Sequence, residues 1–137
     1  RHHLILLAEQ ILQHIPYQPE STSVTTSAID SLYAGQGVCQ DHAHVFIAMC
    51  RALQLPARYV SGYLDDQNQP HLASHAWAEV FVENEWYCFD ISNQIFTPKS
   101  HIYVAIGRDY LDVAPVRGVR EQGGIESMTS SVQVLAC

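Results

Sequence analysis

Two alternating runs of strand-forming residues, separated by a very short polar connection, constrain this 137-residue chain more than any other feature. The runs cover residues 75–82 and 86–91, and the segment Glu83-Asn84-Glu85 lies between them. Alternation with a period of two is typical of a strand with two unlike faces, and a short polar loop joins antiparallel neighbours. The pattern therefore predicts a β-hairpin in the middle of the chain.

The length of the hairpin loop decides which side chains meet across the two strands. If residues 83–84 form a two-residue loop, Val82 faces Glu85. His75 and Asp90 then share a face as diagonal neighbours, with backbones roughly 7–8 Å apart, and a hydrogen bond can span that gap. A loop one residue longer or shorter would put them on opposite faces. The register is thus a prediction that a structure can test.

Cys39 begins a segment, residues 39–53, in which apolar side chains recur every three or four positions, as they do in a helix. The start of a helix has unpaired N–H groups and a positive dipole end, and both favour a thiolate over a thiol. The N–H of Cys39 could also donate to an oxyanion. Cys39, His75 and Asp90 together predict a nucleophile, a base and a group that orients the base.

Each of these residues also has a structural interpretation when it is considered alone. A cysteine can pack at a helix end, a strand histidine can be a satisfied core or surface residue, and Asp90 can be a turn residue. The order of helix start, strand and strand makes the three together a more specific signal. Gln36 or Tyr33 could supply a second oxyanion donor, and the sequence does not choose between them.

Other segments complete an α+β pattern. Apolar spacing predicts helices over residues 4–15 and about 26–34, the second with Ser27 and Asp30 arranged like a capping box. Further strands are predicted over residues 57–64, 101–106 and 131–135.

The motifs around the three candidate residues resemble those of the bacterial transglutaminase-like family. The similar segments are residues 37–44, 50–63, 74–80, 86–90 and 107–118, and the resemblance spans about 17–120. It implies an α+β fold of the papain-like, transglutaminase-core kind, in which the cysteine-bearing helix packs on an antiparallel β-sheet. It also implies that Cys39 is the nucleophile, His75 the base and Asp90 the orienting residue. The chain has Asp90-Ile91-Ser92-Asn93 where the family often has Asp-Pro-Thr-Asn, and Leu53-Gln54-Leu55-Pro56 where Leu-Gly-Ile/Val-Pro is usual.

Length suits a single domain over residues 1–137. The sequence begins without methionine and opens directly into a helical pattern, and family members are typically longer at the N-terminus. We therefore expect the chain to be a piece of a longer protein.

Charge and composition exclude several partners. The net charge is −7 and the basic residues do not cluster, which disfavours a nucleic-acid or anionic membrane surface. No apolar run is long enough to span a bilayer. The four cysteines are widely spaced, without the pairs of a zinc ribbon or a disulfide framework, so a cytoplasmic location is the simplest prediction.

The expected activity is acyl transfer on amide or peptide carbonyls of a protein or peptide substrate, through a thioester. Hydrolysis and transamidation use the same three residues, and we favour hydrolysis. We expect no cofactor, and no metal, since His42 and His44 lie two apart and do not share a helix face. The alternative function is a non-catalytic protein- or peptide-binding module on the same fold. The sequence does not predict an oligomeric state.

Overall fold

The computed structural model describes residues 1–23, 25–65, 74–114, 122–124 and 131–133. Helices α1 to α4 cover His2–His14, Ala28–Ala34, Cys39–Ala52 and Tyr110–Val113. Strands β1 to β4 cover Ala57–Leu64, His75–Val82, Glu85–Phe89 and His101–Gly107. None of the helices in these ranges is long and apolar enough to cross a membrane.

The ends of the helices follow from local side-chain chemistry. The Ser27 Oγ accepts a hydrogen bond from the Asp30 N–H at 3.1 Å, so the predicted cap at the start of α2 is present. Gly35 ends α2 in the left-handed conformation, which costs glycine least. At the start of α3, the Asp41 carboxylate accepts from the Val38 N–H at 2.8 Å. This bond fixes the turn from which Cys39 enters the helix.

The strands form one antiparallel sheet in the order β3-β2-β1-β4. Glu83 and Asn84 both have positive φ, 55° and 66°, as a two-residue hairpin turn requires. Val82 pairs with Glu85, and Phe81 with Trp86. The predicted hairpin register is confirmed.

Helix α3 packs on one face of this sheet, α1 packs on α3, and both helices contribute side chains to the core. The buried apolar side chains on the helices include Leu4, Ala8, Ile11, Phe46, Ile47 and Cys50, and those on the sheet include Tyr59, Ala78, Val80 and Phe89. The cysteine-bearing helix therefore packs on an antiparallel sheet, and the α+β fold expected from the sequence is confirmed.

A close approach between β1 and β4 brings the start of β4 toward the functional site. A Cβ at Gly62 would lie 2.0 Å from the Ile102 carbonyl oxygen, so a larger residue would push β4 away. The pairing also shifts register between Ser61 and Gly62, which gives β4 one extra residue.

Two predicted strands differ from the structure. The strand expected over residues 86–91 ends at Phe89, because Asp90 leaves the hairpin and exchanges two backbone hydrogen bonds with Ile95. Of the strand expected over residues 131–135, the described part, 131–133, does not join the four-stranded sheet, and 134–135 lie outside the described residues.

Candidate active site

Cys39 is the first residue of α3 and forms part of the wall of a cavity of about 230 Å³. The N–H groups in the first turn of a helix have no acceptor within that helix, so they point toward whatever lies at its start. The other residues lining this cavity are Tyr17, Val38, Gln40, Tyr59, Ser61, Ser74, His75, Ala76 and Tyr110. Tyr33 and Gln36, the two candidates for a second oxyanion donor, are not among the described lining residues.

His75 begins β2 and Asp90 directly follows β3, at the same end of the hairpin. The His75 Nε2 lies 2.8 Å from the Asp90 Oδ2. Asp90 is fully buried, whereas 14% of the His75 side chain is exposed. Because an ionised carboxylate only accepts, the imidazole donates from Nε2, and Nδ1 is left for its second partner.

The Cys39 side chain also hydrogen-bonds the His75 ring, and Nδ1 is the nitrogen that Asp90 leaves open for it. Burial opposes a charge on His75, but hydrogen bonds to Asp90 and Cys39, with the negative charges of both, raise the pKa of His75 to about 10. A histidine with so high a pKa stays protonated at neutral pH. The structure thus brings together the three side chains predicted from the sequence.

Two further residues, which the sequence analysis did not single out, also contact the Asp90 carboxylate. The His101 Nε2 lies 2.9 Å from Oδ2, and the Asn93 amide donates to the same oxygen at 3.1 Å. The Asn93 backbone N–H donates to Oδ1 at 3.2 Å. Burial would raise the pKa of Asp90, but the hydrogen bonds from His101, His75 and Asn93 hold it well below its ordinary range. Asp90 is therefore an ionised, fully hydrogen-bonded acceptor.

His42 and His44 have structural partners. The His42 Nε2 donates to the Ile15 carbonyl at 2.6 Å, and its Nδ1 accepts from the Ser92 hydroxyl at 2.7 Å. The His44 Nε2 accepts from the Tyr110 N–H at 3.2 Å. Burial lowers the pKa of both histidines, so both are neutral at physiological pH.

The ligand atoms of His75, Asp90 and His101 lie within 4.8 Å of one another, a spacing compatible with a metal ion. The Lys99 N–H donates to the His101 Nδ1 at 3.3 Å. This bond places the ring proton of His101 on Nε2, where a metal would need a lone pair. The donor set therefore fits a hydrogen-bond network centred on Asp90 better than it fits a metal, and the expectation of no metal stays a prediction.

The two tryptophans of the hairpin lie in different surroundings. Trp77 is fully buried, with its ring centroid 5.7 Å from that of His75 and 4.8 Å from that of His101. Trp86 is 40% exposed and stacks under the Arg58 guanidinium at 3.9 Å. Only Trp77 covers the histidines.

Comparison with known proteins places the chain in a family. A family model of the transglutaminase-like superfamily matches residues 4–91. The chain belongs to the transglutaminase-like superfamily. An uncharacterised protein of Mycobacterium leprae is 34% identical over 126 residues, covering 88% of this chain and 45% of that protein. An uncharacterised protein of Mycobacterium tuberculosis is 39% identical over 125 residues, covering 82% and 40%.

Two solved structures superpose on this chain and share its fold. A crystal structure named "Putative Cysteine Protease", from Cytophaga hutchinsonii, superposes with a TM-score of 0.72 at 36% identity, covering 81% of this chain and 37% of that one. Legionella pneumophila LapG superposes with a TM-score of 0.60 at 15% identity, covering 77% and 64%, which shows a shared fold. The chain spans less than half the length of the curated relatives it matches.

One departure from the usual superfamily sequence has a visible consequence. Ser92, which stands where threonine is common, uses its hydroxyl to bind His42. His42 lies on α3 and Ser92 lies in the turn that follows Asp90. The bond joins the helix that carries Cys39 to the turn that carries Asp90.

Proposed function

We propose that the chain is the catalytic core of a cysteine-dependent acyl-transfer enzyme, in which Cys39 is the nucleophile, His75 the base and Asp90 the orienting residue. One observation supports this most strongly. His75 has a buried carboxylate 2.8 Å from its Nε2 and also hydrogen-bonds the Cys39 side chain, for which Nδ1 is the nitrogen left open. A paired thiolate and imidazolium is the reactive form of a cysteine nucleophile.

In the first half of the reaction, the proton of Cys39 resides on His75. The thiolate attacks the carbonyl carbon of an amide, and the oxygen becomes an oxyanion facing the first turn of α3, where the Cys39 N–H is available as a donor. The C–N bond then breaks, and the leaving amine takes the proton from the His75 Nδ1. A thioester remains on Cys39.

In the second half, His75 takes a proton from the incoming nucleophile, which attacks the thioester. Water yields a carboxylic acid, and a primary amine yields a new amide; in both cases the proton returns to sulfur. We favour hydrolysis, since nothing in the sequence marks a dedicated amine-acceptor site. Asp90 stays ionised throughout and stabilises the imidazolium, without itself taking the proton.

The described lining of the cavity suits a neutral polar group, because it carries tyrosine, serine and glutamine side chains and neither carboxylates nor lysine or arginine. We propose a protein or peptide carboxamide as the substrate, with no cofactor. The cytoplasmic location suggested by cysteine usage stays a prediction.

Alkylation with iodoacetamide tests the proposed nucleophile. Cys39, Cys50 and Cys88 are free, and burial raises the pKa of Cys50 and of Cys88 to about 12. These two thiols are internal controls for a reactive Cys39. We expect peptide mapping at pH 6 to show Cys39 alkylated at least about a hundredfold faster than either, because only thiolate reacts. Equal, slow labelling of the three would contradict an activated nucleophile.

A binding module on the same fold is the alternative, and a substrate screen separates the two functions. The chain is incubated with glutamine-containing peptides, with and without a primary amine, beside Cys39→Ala. Mass spectrometry showing deamidation, cleavage or amine incorporation that the variant lacks supports the enzyme. Peptide binding that is equal in both proteins and never followed by a mass change supports the module.

A further inference from the structure

His101 lies beyond the three residues to which the proposed function assigns roles, yet it contacts the carboxylate that orients the base. Its Nε2 lies 2.9 Å from the Asp90 Oδ2, and its side chain is completely buried. His75 is 2.8 Å from the same oxygen. One carboxylate oxygen therefore serves two histidines, only one of which also contacts Cys39.

Hydrogen bonding fixes the form of His101. The Lys99 backbone N–H donates to Nδ1 at 3.3 Å, so that nitrogen carries a lone pair and Nε2 carries the proton. A ring in this form is neutral and has a single N–H donor, which points at Asp90. It adds a hydrogen bond to the carboxylate and brings no second positive charge next to His75.

Packing fixes the position of the same ring. Trp77 meets it edge-on, with centroids 4.8 Å apart and planes at 73°. The close approach of β4 to Gly62 brings His101 within reach of Asp90. His101 therefore holds the carboxylate from β4, a strand that belongs neither to the hairpin nor to α3.

We propose that His101 is a positioning residue that locks the rotation of the Asp90 carboxylate, so that Oδ2 stays directed at the His75 Nε2. This role rests on the proposed function, since it matters only if His75 serves Cys39. Three donors, from His75, His101 and Asn93, converge on Oδ2. Of these three donors only His101 belongs to β4, so losing its N–H removes the hydrogen bond between that strand and the carboxylate.

Several titratable groups face Asp90 and bear on any pH profile. They are His75 from β2, His101 from β4, His42 from α3 and, on β3, Cys88. Of these, His75 and His101 bond directly to the carboxylate. A change at His101 therefore acts on Asp90 first and on the Cys39–His75 pair through it.

The test compares His101→Leu, which removes the donor, with His101→Gln, which keeps an N–H at a similar reach. Tyr103→Phe is the matched control, because it removes another β4 hydrogen bond, from the Tyr103 hydroxyl to Glu79 at 2.9 Å, without contacting Asp90. The measurement is the pH dependence of Cys39 alkylation by iodoacetamide. Protonation of the reacting thiolate sets the acid limb of this profile, and its midpoint depends on how well Asp90 supports the imidazolium of His75.

We expect His101→Leu to move the acid midpoint upward by about one pH unit, because a carboxylate that can rotate away from His75 gives less support to the imidazolium and therefore to the thiolate. His101→Gln and Tyr103→Phe should keep the wild-type midpoint. A wild-type midpoint in His101→Leu would overturn the proposal. So would equal shifts in the Leu and Gln variants, since packing rather than the donor would then be responsible.

A measurement on the unmodified chain covers the cases in which His101→Leu does not fold or Cys39 shows no enhanced reactivity. Long-range proton–nitrogen NMR reports the tautomer of each histidine, and we expect His101 to be protonated on Nε2 alone at neutral pH. Protonation on Nδ1 would overturn the role of His101 whatever Cys39 does. Slow alkylation of wild-type Cys39 together with the expected tautomer would count against the proposed function and leave the His101–Asp90 bond intact.

Discussion

His42 and His75 are both enclosed by the fold, but their partners leave His42 neutral and His75 positively charged. His42 binds a backbone carbonyl and a serine hydroxyl, and burial lowers its pKa. His75 binds a buried carboxylate and the Cys39 sulfur, and its pKa rises to about 10 even though burial opposes the charge. Neutral partners make a buried histidine a structural link, whereas anionic partners hold it charged and suited to proton transfer.

The largest expected effect comes from removing the charge of the anionic partner. Asp90→Asn gives His75 a neutral partner, as His42 has, and an amide can also stabilise the wrong tautomer. We expect the rate of any acyl transfer to fall by about a thousandfold to ten-thousandfold. The rate of Cys39 alkylation at pH 6 should fall by about a hundredfold, toward that of an ordinary thiol. Circular dichroism checks that the variant is folded. Near-wild-type reactivity in a folded Asp90→Asn would show that the carboxylate is not what distinguishes the two histidines.

The structural histidine should affect stability. His42→Leu fills similar space but leaves the Ile15 carbonyl and the Ser92 hydroxyl without their partner. We expect the free energy of unfolding in urea to fall by about 2–4 kcal/mol, since each buried polar group left unpaired costs about 1–3 kcal/mol. Ser92→Ala is the matched milder variant and should lose about 1 kcal/mol.

Cys39 alkylation at pH 6 distinguishes this role of His42 from a chemical one. Folded Ser92→Ala should react at the wild-type rate, because the Cys39–His75 pair is untouched. A large loss of reactivity in that variant would mean that the His42–Ser92 bond also governs the site.

The smallest effect expected is on the pH dependence of stability, where the two histidines act in opposite directions. The pKa of His75 is raised from 6.5 to about 10, so its stabilising contribution is complete below pH 6.5 and lost as pH rises toward 10. The pKa of His42 is lowered, so its protonation makes the fold less stable as pH drops below 6.5.

Urea unfolding of wild type and His75→Gln between pH 6 and pH 10 measures the first effect. The stability difference between them should shrink by at least about 1 kcal/mol across that range. In Cys39→Ala the loss should be smaller and should end at a lower pH, because one of the two anionic partners that raise the pKa of His75 is missing. A difference that stays constant with pH would contradict a protonated His75 in the folded protein.

The sequence alone sufficed for the hairpin and the three candidate residues, because the features that determine them are local. A two-residue loop fixes the register, and the alternation then puts His75 and Asp90 on one face. The helical spacing after Cys39 likewise needs no knowledge of distant segments. The transglutaminase-like motifs pointed to the same residues, and the fold and the family are confirmed, while the roles of Cys39, His75 and Asp90 stay proposals.

Only the tertiary structure decided which other groups meet Asp90 and which histidine carries charge. His101 reaches the carboxylate because β4 pairs with β1 across a register shift beside Gly62, and no local pattern in the sequence specifies that pairing. The contrast between His42 and His75 likewise depends on partners 27 and 50 residues away for the first, and 15 and 36 residues away (75 minus 39) for the second. Local periodicity specifies helices, strands and turns, but the charge of a buried imidazole depends on the atoms that the folded chain brings to its two nitrogens.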